Sequence, residues 1–454
     1  MFLIAIILSL LHVALSSHEE QNSWKHQKVV NKVPLYEFCH WHTIDWVGLE
    51  HRNDESPCNL HGDKGNYIAE KNIPTKLRLY NGRAYVVIER SVGVYSSLSY
   101  FDLCDVGKNK ECPKLKCFRN CARNQLAELG KCPDDDVNYL INVRDIQFTR
   151  DKKAWVLDIG AYFLNESTPV FHRAPRLCLY DVSLATPSQK FCSSFPTRLY
   201  NAGNQLGLNA IEVKEDGDKN DFVYIFNAAS ATIVVYSEKE NKFWGIRAAL
   251  FKAEPSQSLF TFNLPHHKEH KFVSRDGVFS GTSDKYGLFV SAKASDDLYY
   301  VSYSTLDDKM NEFMPETTFD ISDVGTYNPN GHTYDFLRHK NVLYFIQPER
   351  HALVCANKKF EVTEETLQVL SVDPEKLAHL TSIDFYHQHP DNRELYLLSN
   401  NLVDIKVNGF DKKKKNFVIS VVDLEEVERL NPECLGYHKG HRYLDYPYNT
   451  CTRK

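Results

Sequence analysis

Beyond Leu15 the chain has no apolar run approaching the roughly 20 residues of a membrane-spanning helix, so neither a span nor a membrane partner is expected in its body. Neither sign of charge dominates. The formal net charge is −5 with acidic and basic residues interspersed, which argues against a nucleic-acid partner. Methionine is scarce, 3 residues against 25 Tyr and 26 Phe, a bias that suits strands better than helix bundles. No nucleophile elbow, phosphate loop or HExxH motif occurs, so hydrolysis and phosphoryl transfer have no support. Paired C-x-x-C knuckles are missing too, and neither a metal centre nor a cofactor is expected.

What is present first points outward. Met1 to Leu15 is apolar and gives way to Ser16, Ser17 and a polar run, the pattern of a secretory signal peptide over residues 1–17. The mature chain is therefore expected to be soluble, secreted and extracellular. Its 12 cysteines are read as disulfide candidates in that setting. Cys39 and Cys58 fall in a leader, residues 18–72. Cys104, Cys112, Cys117, Cys121 and Cys132 crowd an insertion, residues 104–136. Cys178, Cys192 and Cys355 are spread farther on, and Cys434 and Cys451 lie in a Tyr-containing tail, residues 431–454. Within "CHWH" (Cys39 to His42), disulfide use of Cys39 is expected over a metal site. Asn165-Glu166-Ser167 is the one N-glycosylation sequon.

One pattern recurs along the chain. "GRAYVVIER", "KAWVLDIG", "DFVYIFNA", "YGLFVSAK", "NVLYFIQP" and "ELYLLSNN" are apolar runs of the kind buried on both faces. Each follows a shorter alternating strand across a polar turn, as "TKLRLYNG" precedes the first, and most are trailed by a second β-like run such as "TIVVYSE". The units recur roughly every 50–70 residues. Six strand-turn-strand-loop-strand modules predict an all-β fold, a six-bladed β-propeller over residues 73–430 with disulfide-tied N-terminal insertions and a C-terminal tail. "EETLQVLSVDPEKLAHL", Glu364 to Leu380, has helical spacing and is expected to link two blades. From the pattern alone, strand ends such as Ser399-Asn400-Asn401 and Asn227 read as turn residues; the alternative, given a propeller, is that they deliver polar groups to the mouth of the central channel.

These segments resemble the insect yellow and major royal jelly proteins. The likeness runs from about Ile73 to Val427 and is carried by "WVLDIG", "FVYI…TIVVYSEKENKFW", "DGVFSGTSDKYGLFVSAKASDDLYYV" and "ETLQVL…NRELYLLSN", in the family's order and spacing. "GNYIAEKNIPTKLRLYNGRAYVVIER" is most similar to the eggshell-associated yellow-g branch. The resemblance implies a six-bladed propeller acting in eggshell or cuticle formation and pigmentation, with extracellular matrix proteins as partners. Other members convert dopachrome, and salivary members bind serotonin and catecholamines in the channel. In those amine binders a Thr opening one strand, an Asn ending the next and an aromatic two residues later touch the ligand. The matching positions here are Thr381, Asn400 and Leu402. Leucine in the third place removes a cation–π partner worth about 0.5–2 kcal/mol.

The cysteines depart from the family. None precedes the "WVLD" or "FVYI" strands, whereas Cys178 and Cys192 can pair locally. Dopachrome tautomerisation needs only a base and an acid in the channel. His332 and Asp158 are the reachable groups, with Asp158 favoured as a structural residue. The expected function is thus a non-enzymatic secreted propeller that binds a small catechol or amine. A dopachrome-converting enzyme and a salivary amine scavenger are the alternatives.

Overall fold

The computed structural model describes residues 33–47, 67–119, 140–163, 168–200, 204–215, 221–264, 268–326, 332–386 and 393–434. The expected signal peptide, Asn165, Cys58, Cys121, Cys132 and Cys451 lie outside the described residues.

Six four-stranded antiparallel sheets form the body of the chain. Their first strands are Pro74–Tyr80, Val143–Phe148, Leu208–Lys214, Val278–Ser283, Phe336–His339 and Leu380–Phe385. Each touches the next and the last touches the first, which closes a ring. This is the six-bladed β-propeller the repeats predict; blades are numbered 1 to 6 in that order.

The apolar runs are the second strands. Val342–Gln347 is buried along its whole length, and Glu394–Asn400 at every residue after Glu394. Both faces of each blade pack on a neighbour, so the pattern is continuous rather than alternating. Six apolar clusters result, one in each seam between adjacent blades. In blade 1 the turn is made by Asn81 and Gly82, at φ 49° and 72°; two such residues build the tight hairpin whose twist matches its strands.

The fourth strands escaped the repeat pattern because they are short or polar. Blade 1 ends in Lys116–Cys117, and blade 2 in Ser188–Ser194, half-exposed along most of its length. Blade 5 ends in Gln368–Val372, inside the segment expected to be a helix. Leu370 fills the seam of blades 5 and 6, and strand pairing with Ala352–Asn357 overrides the helical spacing.

The largest difference concerns the leader. Tyr36–Trp41 pairs antiparallel with Phe417–Asp423 and is the fourth strand of blade 6. The propeller therefore begins at residue 36 and not 73, and the first and last described strands meet in one sheet. Cys39–Cys112 fastens this strand to blade 1. Cys178–Cys192 crosses two directly opposed positions in blade 2, and Cys355–Cys434 ties blade 5 to the end of the described chain. Cys117 is disulfide-bonded as well. Cys104 corrects the cysteine reading: it is an exposed free thiol on the short turn Leu103–Asp105, facing solvent beside Asp105.

Two hairpins stand outside the blades. One of them pairs Leu259–Leu264 with Lys268–Val273. It lies over the seam of blades 5 and 6, where Phe260 stacks on His332 at 3.8 Å and Phe262 sits 5.4 Å from His379.

Candidate functional site at the channel mouth

Five of the six inner strands slip register at their second residue: Thr75, Arg144, Asn209, Phe279 and Thr381. A β-bulge re-aims the extra side chain and is frequent at barrel rims and beside active sites. All five lie at the same end of the ring and form its rim. Four have partners. Thr75 Oγ1 donates to Val87 O at 3.3 Å, Arg144 pairs with Glu89 at 2.5 Å, and Asn209 Nδ2 donates to Phe279 O at 3.1 Å. Phe279 lies beneath the Lys293 ammonium, 4.9 Å from its ring centre. The fifth has none. The Thr381 hydroxyl is shut off from solvent with no hydrogen-bond partner among the described residues.

Below this rim the axis is filled. Arg78 reaches Asp145 of blade 2 at 3.1 Å, Asp335 of blade 5 at 3.5 Å, and Ser382 and the Ile383 carbonyl of blade 6 at 3.1 and 3.3 Å. Lys76 pairs with Asp335 at 3.1 Å, Ser280 of blade 4 donates to Asp335 at 2.8 Å, and Asp145 accepts from the Ile211 amide of blade 3 at 3.1 Å. A single buried network thus joins all six blades, and the channel at this depth is a polar core rather than a ligand tunnel.

Asp384 is the odd member. Burial lifts its carboxyl from 3.8 to about 7, against the pull of Arg78 and with the help of Asp335. Its raised folded-state value means its contribution to stability is full below about pH 4 and is lost as pH rises through 7. Wild-type stability measured by urea unfolding is expected to carry a loss between pH 5 and 8, on the order of 1–3 kcal/mol, that Asp384→Asn lacks. Parallel pH profiles for the two proteins would refute this.

On the blade 6 side of the rim, Asn400 is fully employed. Its Nδ2 donates to Pro74 O at 2.7 Å, and its Oδ1 accepts from Leu402 N at 3.2 Å and lies 2.8 Å from His379 Nδ1. Pro74 O can only accept, which orients the amide and assigns the His379 proton to Nδ1. Burial holds that imidazole neutral, its pKa lowered to about 4. Asn400 therefore staples blade 6 to the start of blade 1, next to Thr381. Leu402 opens the helix Leu402–Asn408, which packs against the hairpin strand Leu259–Leu264.

Asn227 lies three blades away, in blade 3. It is fully buried; its Oδ1 accepts from Ser230 N at 3.2 Å, and its Nδ2 has no partner among the described residues. The ring thus brings Thr381, Asn400 and Leu402 together and leaves Asn227 apart.

Residues that the sequence reading passed over complete the mouth. Lys293 Nζ lies 4.8, 4.9 and 5.7 Å from the ring centres of Tyr334, Phe279 and Phe260, and bonds Asp276 at 2.9 Å. The bulged inner strands share a buried, half-exposed, buried opening only once folded. Lys293 gave no sequence signal, because its cage gathers Phe260, Phe279 and Tyr334 from separate elements.

Neither candidate for proton transfer is free to act. His332 is buried, with Nδ1 against Glu349 and Nε2 2.6 Å from the Gln257 carbonyl. Asp158 is fully buried, contacted by Arg173 and by the amides of Ile141, Asn142 and Gly160. Burial pushes its carboxyl up, but Arg173 and Arg176 outweigh that and lower it to about 2. It is a structural residue, as favoured from the sequence.

The chain is 21% identical to "Major royal jelly protein 3" of Apis mellifera over 415 residues, 88% of this chain and 70% of that protein. It is 26% identical to "Yellow-related salivary protein LJM17" of Lutzomyia longipalpis over 239 residues, 51% of this chain and 56% of the relative. Among solved structures, a luciferin-regenerating enzyme aligns over 84% of this chain and 96% of its own, at TM-score 0.42 and 11% identity, too remote to support more. The family model described as "Major royal jelly protein" matches residues 141–432, more than half of the chain, and the chain belongs to that family.

Proposed function

We propose that this protein is a non-enzymatic, extracellular binding protein that takes a small catechol-like aromatic at the channel rim beside Thr381, within an eggshell or cuticle matrix. The observation that carries this reading is the Thr381 hydroxyl, buried on a bulge with no partner among the described residues. An unsatisfied buried hydroxyl costs about 1–3 kcal/mol, which a phenolic group placed there would recover. Aromatic walls stand nearby: Tyr334 lies 5.5 Å from His379 and 6.1 Å from Phe279. Two features favour a neutral or anionic ring over a cationic amine. Position 402 is leucine, and the Lys293 ammonium already lies over the three rings a cation would seek. The disulfides suit an oxidising compartment. The yellow-like motifs support the matrix setting.

The test is calorimetric titration with 4-methylcatechol, dopamine and serotonin, comparing wild type with Thr381→Val. The expected result is tightest binding of the uncharged catechol and a several-fold loss in the variant, about 1 kcal/mol, with thermal stability unchanged or raised. Equal affinity in both proteins would remove Thr381 from the site. Asn400→Ala is the poorer probe, because it also breaks the staple between blades 6 and 1. Expression confined to gut or haemolymph, with none in ovary follicle or epidermis, would remove the matrix half of the proposal.

A further inference from the structure

A second site lies on the blade 3 and 4 side of the mouth, in an open depression of about 580 Å³ between the blade 3 turn that follows Asn227 and the base of the hairpin. Its volume falls within the range of small-molecule pockets. Methyl groups of Ala228, Ala229, Ala231 and Ala253 line it, with Leu259 and Val273 at its edge. Those two are directly opposed across the hairpin and stay 52% and 63% exposed, an apolar pair left in water. Gly277 also lines it, where an added Cβ would meet the Phe251 carbonyl at 2.4 Å; any side chain there would displace the backbone.

The charge is one-sided. Lys252 and Arg275 both line the depression and are exposed, and no carboxylate among the described residues lines it. The acids nearest to them in sequence are engaged elsewhere. Glu254 Oε1 accepts from Ser295 Oγ at 2.9 Å, while Asp276 holds Lys293 at 2.9 Å and accepts from Ser274 Oγ at 2.6 Å.

We propose that this depression binds a small amphipathic anion, a medium-chain aliphatic carboxylate, with the tail over the alanine floor and the head between Lys252 and Arg275. A floor of small alanine side chains suits a flexible alkyl chain. Two cations without a facing acid select a carboxylate head and repel an ammonium one. None of Thr381, Asn400 and Leu402 lines it, so the proposal stands apart from the Thr381 site.

The experiment is isothermal titration of the full chain with decanoate and with decyltrimethylammonium. Decanoate is expected to bind saturably at one site and decyltrimethylammonium not to bind. The double variant Lys252→Glu/Arg275→Glu, both surface positions, is expected to lose decanoate affinity at least tenfold, and Ala253→Trp to block the floor. Thr381→Val should leave decanoate binding unchanged. No saturable decanoate heat, equal binding of the two amphiphiles, or a double variant within twofold of wild type would each overturn the proposal.

Discussion

Replacing Arg78 with methionine is expected to lower the unfolding free energy at pH 7 by about 3–5 kcal/mol, the usual cost of removing one partner from a buried ion cluster. Methionine keeps much of the length and removes the charge, so what is lost is the counter-ion. Asp145 is fully buried, and its closest cation is Arg78, at 3.1 Å. Asp335 retains Lys76 at 3.1 Å. Asp384 loses the guanidinium that holds its pKa down to about 7 and stays protonated to higher pH. The deficit should therefore be smaller at pH 5, where Asp384 is already neutral. A second substitution, Asp145→Asn, should restore part of the loss, since it removes the charge left alone; that coupling is the signature of a pair rather than of two independent sites. Urea unfolding of the two single variants and the double one at both pH values provides the measurement. A loss under about 1 kcal/mol, within the range of an exposed pair, would mean that the axis is hydrated and the network does not hold the blades.

Removing the N-terminal strand should have a still larger effect. Without Tyr36–Trp41, the strand Phe417–Asp423 becomes an open sheet edge, with the pairing groups of a long apolar strand exposed to other chains. The Cys39–Cys112 clasp, typically worth about 2–5 kcal/mol, goes with it. So does Trp41, only 4% exposed in the seam of blades 6 and 1, at about 3–5 kcal/mol for a truncated core aromatic. The sum reaches the whole stability of an ordinary domain, about 5–15 kcal/mol. A chain lacking residues up to Trp41 is expected to aggregate or to show no cooperative melt in size-exclusion chromatography and circular dichroism. The milder Cys39→Ala/Cys112→Ala variant keeps the strand and should stay monomeric with a lowered Tm. A truncated chain that elutes as a monomer and melts within a few degrees of wild type would show that the ring does not depend on this closure.

Both predictions involve features that no window of sequence displays. Arg78 meets Asp145 67 residues away and Asp335 257 residues away. In "TKLRLYNG" it reads as an ordinary exposed arginine of an alternating strand, because alternation separates two faces but does not say whether the polar face meets water or five other blades. "YEFCHW" likewise looked like part of a disulfide-tied leader; an edge strand is exposed on one side and so lacks the continuous apolar signal of the strands beside it. The rim was partly legible. The family resemblance singled out Thr381 and Asn400, yet it could not show that Asn400 is spent on Pro74, His379 and Leu402 while Thr381 has no partner among the described residues.

The number of blades, the identity of their second strands and the Asn81-Gly82 turn were set by local chemistry, because burial on both faces and positive φ demand particular residues wherever they occur. Ring closure, the shared bulges, the ionic core and the free thiol of Cys104 were decided only when distant segments came together. Each depends on which neighbour a strand meets, and that choice is made by packing between blades rather than by the strand's own pattern.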